Sequence, residues 1–196
     1  MACELSLVVG LGNPGPDYEQ TRHNAGFWFA DALARAMGVS WQHDRNLPAE
    51  LARGVLESCD LRLCKPLGYM NRSGASVAAH ARYYRIPVER ILVVHDDLDL
   101  PPGIIRYKEG GGHGGHNGLR DLIRHLGGNG FRRLRLGIGH PGHRDQVVNY
   151  VLQRPTAEEE ARILEAVNEG VRVLSDLMAG RTQQAVQRIH GRRVDA

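Results

Sequence analysis

His23 is the first residue whose type and place in the chain could do chemistry. It stands in Tyr18-x-x-Thr21-Arg22-His23-Asn24-x-Gly26, shortly after the apolar run Leu5–Gly10. That run reads as a strand, and α/β sheets open their clefts beyond the carboxyl ends of their strands. An imidazole there suits a general base near neutral pH, although an isolated histidine near a helix start is more often a cap or a surface group. A second group, His95-Asp96-Asp97-x-Asp99, follows another strand-like run, Arg90–Val94. Carboxylates so placed orient a base, hold a metal or simply form an acidic turn. A metal would recruit His95, Asp96, His113 and His116, but the glycines around the last two make a poor rigid scaffold.

Three glycine-containing segments invite other chemistry. Gly10-Leu11-Gly12-Asn13-Pro14-Gly15 matches the dinucleotide fingerprint, yet Pro14 and Pro16 remove backbone N–H groups that a pyrophosphate would need. The acid expected about 20 residues on, at the end of a second strand, is also absent, because that position falls inside a helical pattern. The turn instead aims the Asn13 amide over the strand ends. Gly110–Gly118, with His113, His116 and Asn117, lacks the Lys-Ser/Thr of a phosphate-binding P-loop. Lys65–Gly74 carries Tyr69, Met70 and Asn71, with Ser73 read as the cap of the next helix. No G-x-S-x-G elbow occurs, which disfavours a serine nucleophile. Arg106, Lys108, Arg132, Arg133 and Arg135 offer phosphate contacts or form a solvated basic face.

The elements that must position these groups follow from periodicity. Strands are expected at Leu5–Gly10, at two short runs around Asp60 within Gly54–Cys64, at Arg90–Val94, Ile104–Lys108 and Leu134–Ile138. Helices are expected over Gly26–Met37, Gly74–Tyr84, Asn117–Leu126, Thr156–Ala179 and Thr182–His190, the fourth opened by the capping box Thr156-x-x-Glu159. Alternation of the two types predicts the α/β class: one three-layer domain over 1–196, with a mixed twisted sheet between helices. Hydrophobic residues at 42% and charged residues at 24% exclude a disordered or fibrous chain. No apolar run reaches the roughly 18 residues of a membrane helix, and the N-terminus lacks a basic leader, so a cytoplasmic location is expected. Cys3, Cys59 and Cys64 form no CxxC pair and are expected as reduced thiols. A net charge of +3 permits a polyanionic partner without requiring one.

Six segments taken in order resemble the bacterial-type peptidyl-tRNA hydrolase family: GLGNPG at 10–15, Tyr18-x-x-TRHN-x-G at 18–26, YMNRSG at 69–74, HDDLDLPPG at 95–103, GGGHGGHNGLRDL at 110–122 and LRLGIGHPG at 134–142. The resemblance implies cleavage of the ester between a peptide and the 3′ CCA end of tRNA, by a cytoplasmic monomer that needs no metal and no cofactor. It implies His23 as the base and Asp96 as the carboxylate that orients it. It further implies Asn71 and Asn117 as substrate amides and Asn13 as the group that separates peptidyl from aminoacyl substrates. Tyr18 and Tyr69 would contact the tRNA end, and His116 would line the peptide groove. Arg106, Lys108 and Arg135 would meet acceptor-stem phosphates. Met70 would form a cleft wall, and Gly137–Asp145 a gate. The chain departs from the family pattern at Gly68, where a threonine is usual, and at Arg106, where a lysine is common. One residue is missing around Gly128–Phe131. Residues 40–50 match no motif. Two other readings compete: an RNA-binding relative without turnover, and a metal-dependent hydrolase.

Overall fold

The computed structural model describes residues 2–192. One sheet of seven strands runs in the order β2-β3-β4-β1-β5-β7-β6. The strands are β1 (Leu7–Gly10), β2 (Gln42–His43), β3 (Ala49–Leu56), β4 (Cys59–Pro66), β5 (Ile91–Asp97), β6 (Ile105–Glu109) and β7 (Arg132–Gly137). The four central strands β4, β1, β5 and β7 are parallel, while β2, β3 and β6 pair antiparallel. Both faces of the centre are covered, as parallel sheets require. Leu7 and Val9 of β1, with Ile91 and Val93 of β5, join one apolar cluster; Val8, Leu92 and Val94 join the other. The period-two alternation thus divides each strand between two cores.

Helices α1 (Ala25–Met37), α5 (Ala157–Met178) and α6 (Thr182–His190) pack on one face. Helices α2 (Gly74–Tyr83) and α3 (Asn117–Leu126) pack on the other. Fully buried Phe29 and Phe131 anchor the two layers, each contributing on the order of 1.5–3 kcal/mol by transfer from water. A short helix outside the expected elements, α4 (Val147–Val151), follows the loop after β7.

Chain order places β1 between β4 and β5, so the crossovers leave β1 to opposite sides and open a crevice beyond its carboxyl end. Close approach makes the crevice usable. A Cβ at Gly26 would lie 2.4 Å from the Val94 carbonyl oxygen, and one at Gly10 would lie 2.3 Å from that of Gly26. Only glycine lets α1 start directly on β1 and β5, and the turn before α1 carries His23.

Several expectations need correction. The β3–β4 turn falls at Glu57 and Ser58, both in the left-handed region, and Asp60 lies within β4 rather than at the turn. The first strand begins at Leu7 rather than Leu5. Residues 40–50 hold the edge strand β2, a turn in which Asp44 Oδ1 accepts the N–H groups of Asn46 and Leu47, and the first two residues of β3. Ser73 does not cap α2: its hydroxyl donates to the Met70 carbonyl, and the Gly74 N–H is answered by Asp121 Oδ2 of α3 at 2.7 Å. The capping box of α5 forms as expected, with Thr156 and Glu159 bonded reciprocally.

The cysteines are not all reduced. Cys3 and Cys59 form a disulfide, with Cα atoms 5.8 Å apart. Their separation of 56 residues hides the pairing, which arises because Ser6 hydrogen-bonds to both Arg62 and Arg90 and lays the N-terminal segment beside β4. Cys64 is free and buried, and burial pushes its thiol up to about 12. Among the described residues no helix is long and apolar enough to cross a membrane.

Candidate active site

A cleft of about 840 Å³ lies over the carboxyl ends of β1, β5 and β7. His23 enters it from a short 3-10 turn, Arg22–Asn24, and Asp96 from the last residues of β5. His23 Nδ1 and Asp96 Oδ2 are 2.8 Å apart. The carboxylate is the acceptor, so Nδ1 carries the proton and Nε2 keeps its lone pair. No described protein group bonds Nε2. Burial alone would lower the imidazole pKa, but the Asp96 charge and hydrogen bond outweigh it and raise it above 6.5. Asp96 is 3% exposed; burial opposes its charge, yet His23 and His116 together hold it well below the usual carboxylate range.

The second oxygen of Asp96 is also taken. His116 Nε2 lies 3.0 Å from Oδ1, while His116 Nδ1 accepts the N–H groups of Gly118 and Leu119 at 3.1 and 3.2 Å. His116 is therefore the N-cap of α3, and the two amides fix its proton on Nε2. This side chain does more than line a groove: it joins the helix start to the carboxylate.

His95, beside it, donates Nδ1–H to the Asp96 carbonyl at 2.8 Å. Burial and the neighbouring His116 lower its pKa to about 4, so it is neutral. The metal set His95, Asp96, His113 and His116 does not assemble, because the His113 Nδ1 turns to the Gly115 N–H. The donors that do converge, within 4.8 Å of one another, belong to His23, Asp96 and His116. The proton that α3 fixes on His116 Nε2 points at the carboxylate, which occupies that nitrogen against a cation.

Asn13 is held by three bonds. Its backbone N–H donates to Asn24 Oδ1 at 2.8 Å, and its carbonyl accepts from Asn24 Nδ2 at 2.9 Å. Its own Oδ1 accepts the Met70 N–H at 2.7 Å. The last contact settles the amide orientation and leaves Nδ2 as a donor for the cleft that Asn13 lines. Asn24, next to His23, serves as a side-chain substitute for a backbone ladder. The Met70 N–H is presented by Tyr69, whose φ of 62° lies in the left-handed region.

A family model described as peptidyl-tRNA hydrolase matches residues 7–196. The peptidyl-tRNA hydrolase of Alkalilimnicola ehrlichii is 53% identical over 189 residues, covering 96% of each chain. That of Neisseria meningitidis serogroup A is 50% identical, covering 98% of this chain and all of the relative. A crystal structure of a peptidyl-tRNA hydrolase complex with N-propanol superposes with a TM-score of 0.95 at 45% identity, covering 98% of this chain and 97% of the other. That of the Acinetobacter baumannii peptidyl-tRNA hydrolase gives 0.93 at 46%, covering 96% of each.

The chain belongs to the peptidyl-tRNA hydrolase family.

Of the further residues that resemblance to the peptidyl-tRNA hydrolases pointed to, Tyr69, Met70, Asn71, Asn117, Lys108 and Arg135 line the cleft. Tyr18 stands at its rim, edge-on to Tyr69 with ring centres 6.1 Å apart. Arg135 is already paired with Asp97 at 2.8 Å. Arg106 does not join them: its guanidinium folds back to the carbonyls of Ile105 and Ile189, closing the end of α6. Arg133, grouped with the surface arginines above, is instead 2% exposed and grips the carbonyls of Gly111 and Gly112 from beneath. It shapes the glycine loop and offers no solvated charge.

The loop Gly137–Asp145 leads into α4, which brings Val147, Val148, Val151 and Leu152 to the cleft. Val148 is 68% exposed and Leu152 40%. These residues form an apolar wall that sequence reading missed. α4 is short, but Val147, Val148, Val151 and Leu152 stand at i, i+1, i+4 and i+5, a helical spacing that was the signal for it.

Proposed function

We propose that this enzyme hydrolyses the ester joining a peptide to the 3′ end of tRNA, with His23 as general base acting on water. Family membership supports the substrate, and the His23–Asp96 contact at 2.8 Å carries the mechanism. His23 Nε2 takes a proton from water as the oxygen attacks the ester carbonyl. Asp96 holds the ring and offsets its new positive charge, as in a catalytic triad without its serine. Such general-base help is worth about 10²–10⁴ in rate. The imidazolium then returns the proton to the departing ribose oxygen.

Asn71 and Asn117 supply amide donors to the developing oxyanion or to the water, an interaction of roughly 3–4 kcal/mol when well aimed. The Asn13 Nδ2 donor suits the carbonyl of a peptide bond; a free aminoacyl ester has no such carbonyl and brings a charged ammonium instead. Tyr18 and Tyr69 offer faces for the terminal CCA nucleotides. Lys108 and Arg135 meet acceptor-stem phosphate. The enzyme acts as a monomer in the cytoplasm, recycling tRNA from aborted translation.

The test is incubation of the purified protein with N-acetyl-aminoacyl-tRNA. Ester cleavage well above the His23→Ala background is expected, with tRNA affinity little changed by the substitution. Binding without cleavage by the wild type would leave an RNA-binding protein in place of the enzyme. Loss of activity on exhaustive chelation would favour metal-assisted chemistry over the imidazole.

A further inference from the structure

Arg22 precedes the base and is 6% exposed. Its Nη1 donates to the Tyr150 carbonyl at 3.0 Å and its Nη2 to Glu159 Oε2 at 3.0 Å. The guanidinium carbon lies 3.9 Å from the centre of the Tyr150 ring. The backbone N–H of Arg22 donates to the Gln153 carbonyl at 3.0 Å. The Tyr150 hydroxyl reaches the Ile138 carbonyl, at the end of β7, at 2.6 Å. Among the described residues, Arg22 Nε has no partner.

A helix of five residues does not hold itself in place by its own hydrogen bonds. Its position comes from its tethers. The amino end of α4 hangs on a loop containing Gly139 and Gly142, both at positive φ. At the carboxyl end, Tyr150 and Gln153 are fixed by the residue next to His23. The face so held is the apolar wall of Val147, Val148, Val151 and Leu152.

We propose that Arg22 is a positioning residue that sets this wall at a fixed distance from His23, and thereby selects an apolar side chain on the amino acid esterified to the tRNA. The inference rests on the functional reading above and extends it to specificity. A buried guanidinium is costly to desolvate, and its one carboxylate partner among the described residues is Glu159. Glu159 is itself fixed by the α5 capping box, through the Thr156 N–H at 2.9 Å. Weakening Arg22 therefore releases the wall, while Asp96 and His116 still hold the base.

The experiment compares N-acetyl-leucyl and N-acetyl-glycyl esters carried on one tRNA. The wild type is expected to favour the leucyl ester in kcat/KM. Arg22→Met is expected to shrink that preference by about tenfold, the scale of small apolar discriminations. Arg22→Lys, which keeps the charge but loses the fork, should fall between the two. Glu159→Gln keeps the cap of α5 and should shrink the preference by roughly threefold through the loosened ion pair; it carries the test if Arg22→Met fails to fold. Equal losses on both esters, or a wild type without preference, would overturn the role. A wild type that cleaves neither ester would overturn the functional reading, and this inference with it.

Discussion

His23 Nδ1 meets Asp96 Oδ2 at 2.8 Å across 73 residues of chain, and that contact reverses the effect of burial on the imidazole. Its protonated form is stabilised, so activity that needs the neutral ring must fall as pH drops through a value above 6.5. Asp96→Asn removes the charge and leaves burial unopposed. The acidic limb of the kcat/KM profile should then move below that of the wild type. The turnover number should fall by less than the ~10²–10⁴ expected for loss of the base in His23→Ala, because the imidazole survives but is misoriented. An unmoved limb would contradict the pairing. The same raised pKa contributes stability that is complete below 6.5 and is lost as pH rises through the folded value.

His116 and His23 share one carboxylate, so their effects should not add. His116→Phe removes the donor to Oδ1 while keeping a ring. In a double-mutant cycle with Asp96→Asn, the coupling should be about 1 kcal/mol or more. Nitrogen NMR should report His116 protonated on Nε2 and His23 on Nδ1. Additive losses would reduce His116 to a helix cap, and a proton on His116 Nδ1 would contradict both the cap and the contact with Asp96.

Asn13→Asp keeps the acceptor for the Met70 N–H and replaces the cleft-facing donor. The preference for N-acetyl-aminoacyl over aminoacyl esters should fall at least ~10-fold, because a site built around a hydrogen bond loses its discrimination with the donor. An unchanged ratio of kcat/KM values would remove Asn13 from recognition.

Lys108 and Arg106 should separate cleanly in a salt titration. Lys108 lines the cleft, whereas Arg106 closes the end of α6. Lys108→Ala should lower the slope of log affinity against log salt by about one unit. Arg106→Ala should leave the slope unchanged and lower thermal stability instead. Equal slopes for the two variants would refute phosphate contact at Lys108.

The Cys3–Cys59 bridge closes a separation of 56 residues on the sheet's flank, and neither cysteine lines the cleft. Reduction, or Cys3→Ser, should cost about 2–4 kcal/mol of stability by freeing the unfolded chain. The ester hydrolysis rate at 25 °C should stay the same. A melting temperature unaffected by reductant would show that the bridge does not contribute.

Local sequence determined most of the elements, leaving out the short β2 and α4 and misplacing the β3–β4 turn. The helices over Asn117–Leu126 and Thr182–His190 lie where periodicity puts them, and the Thr156–Glu159 box starts α5. These features depend on neighbours three or four residues away, whose preferences are written in the chain itself. The chemical groups were also legible, because an imidazole and a carboxylate after two apolar strands belong at the same edge of a parallel sheet. What only the tertiary structure decided is which atoms meet. Asp121 rather than Ser73 satisfies the start of α2, Arg133 binds the carbonyls of Gly111 and Gly112 while Arg135 pairs with Asp97, Cys3 finds Cys59, and the apolar wall of α4 lines the same cleft as His23. Each of these depends on strand register and on helices closing over a sheet. A side chain's partner across dozens of residues is set by that closure, and no local preference encodes it.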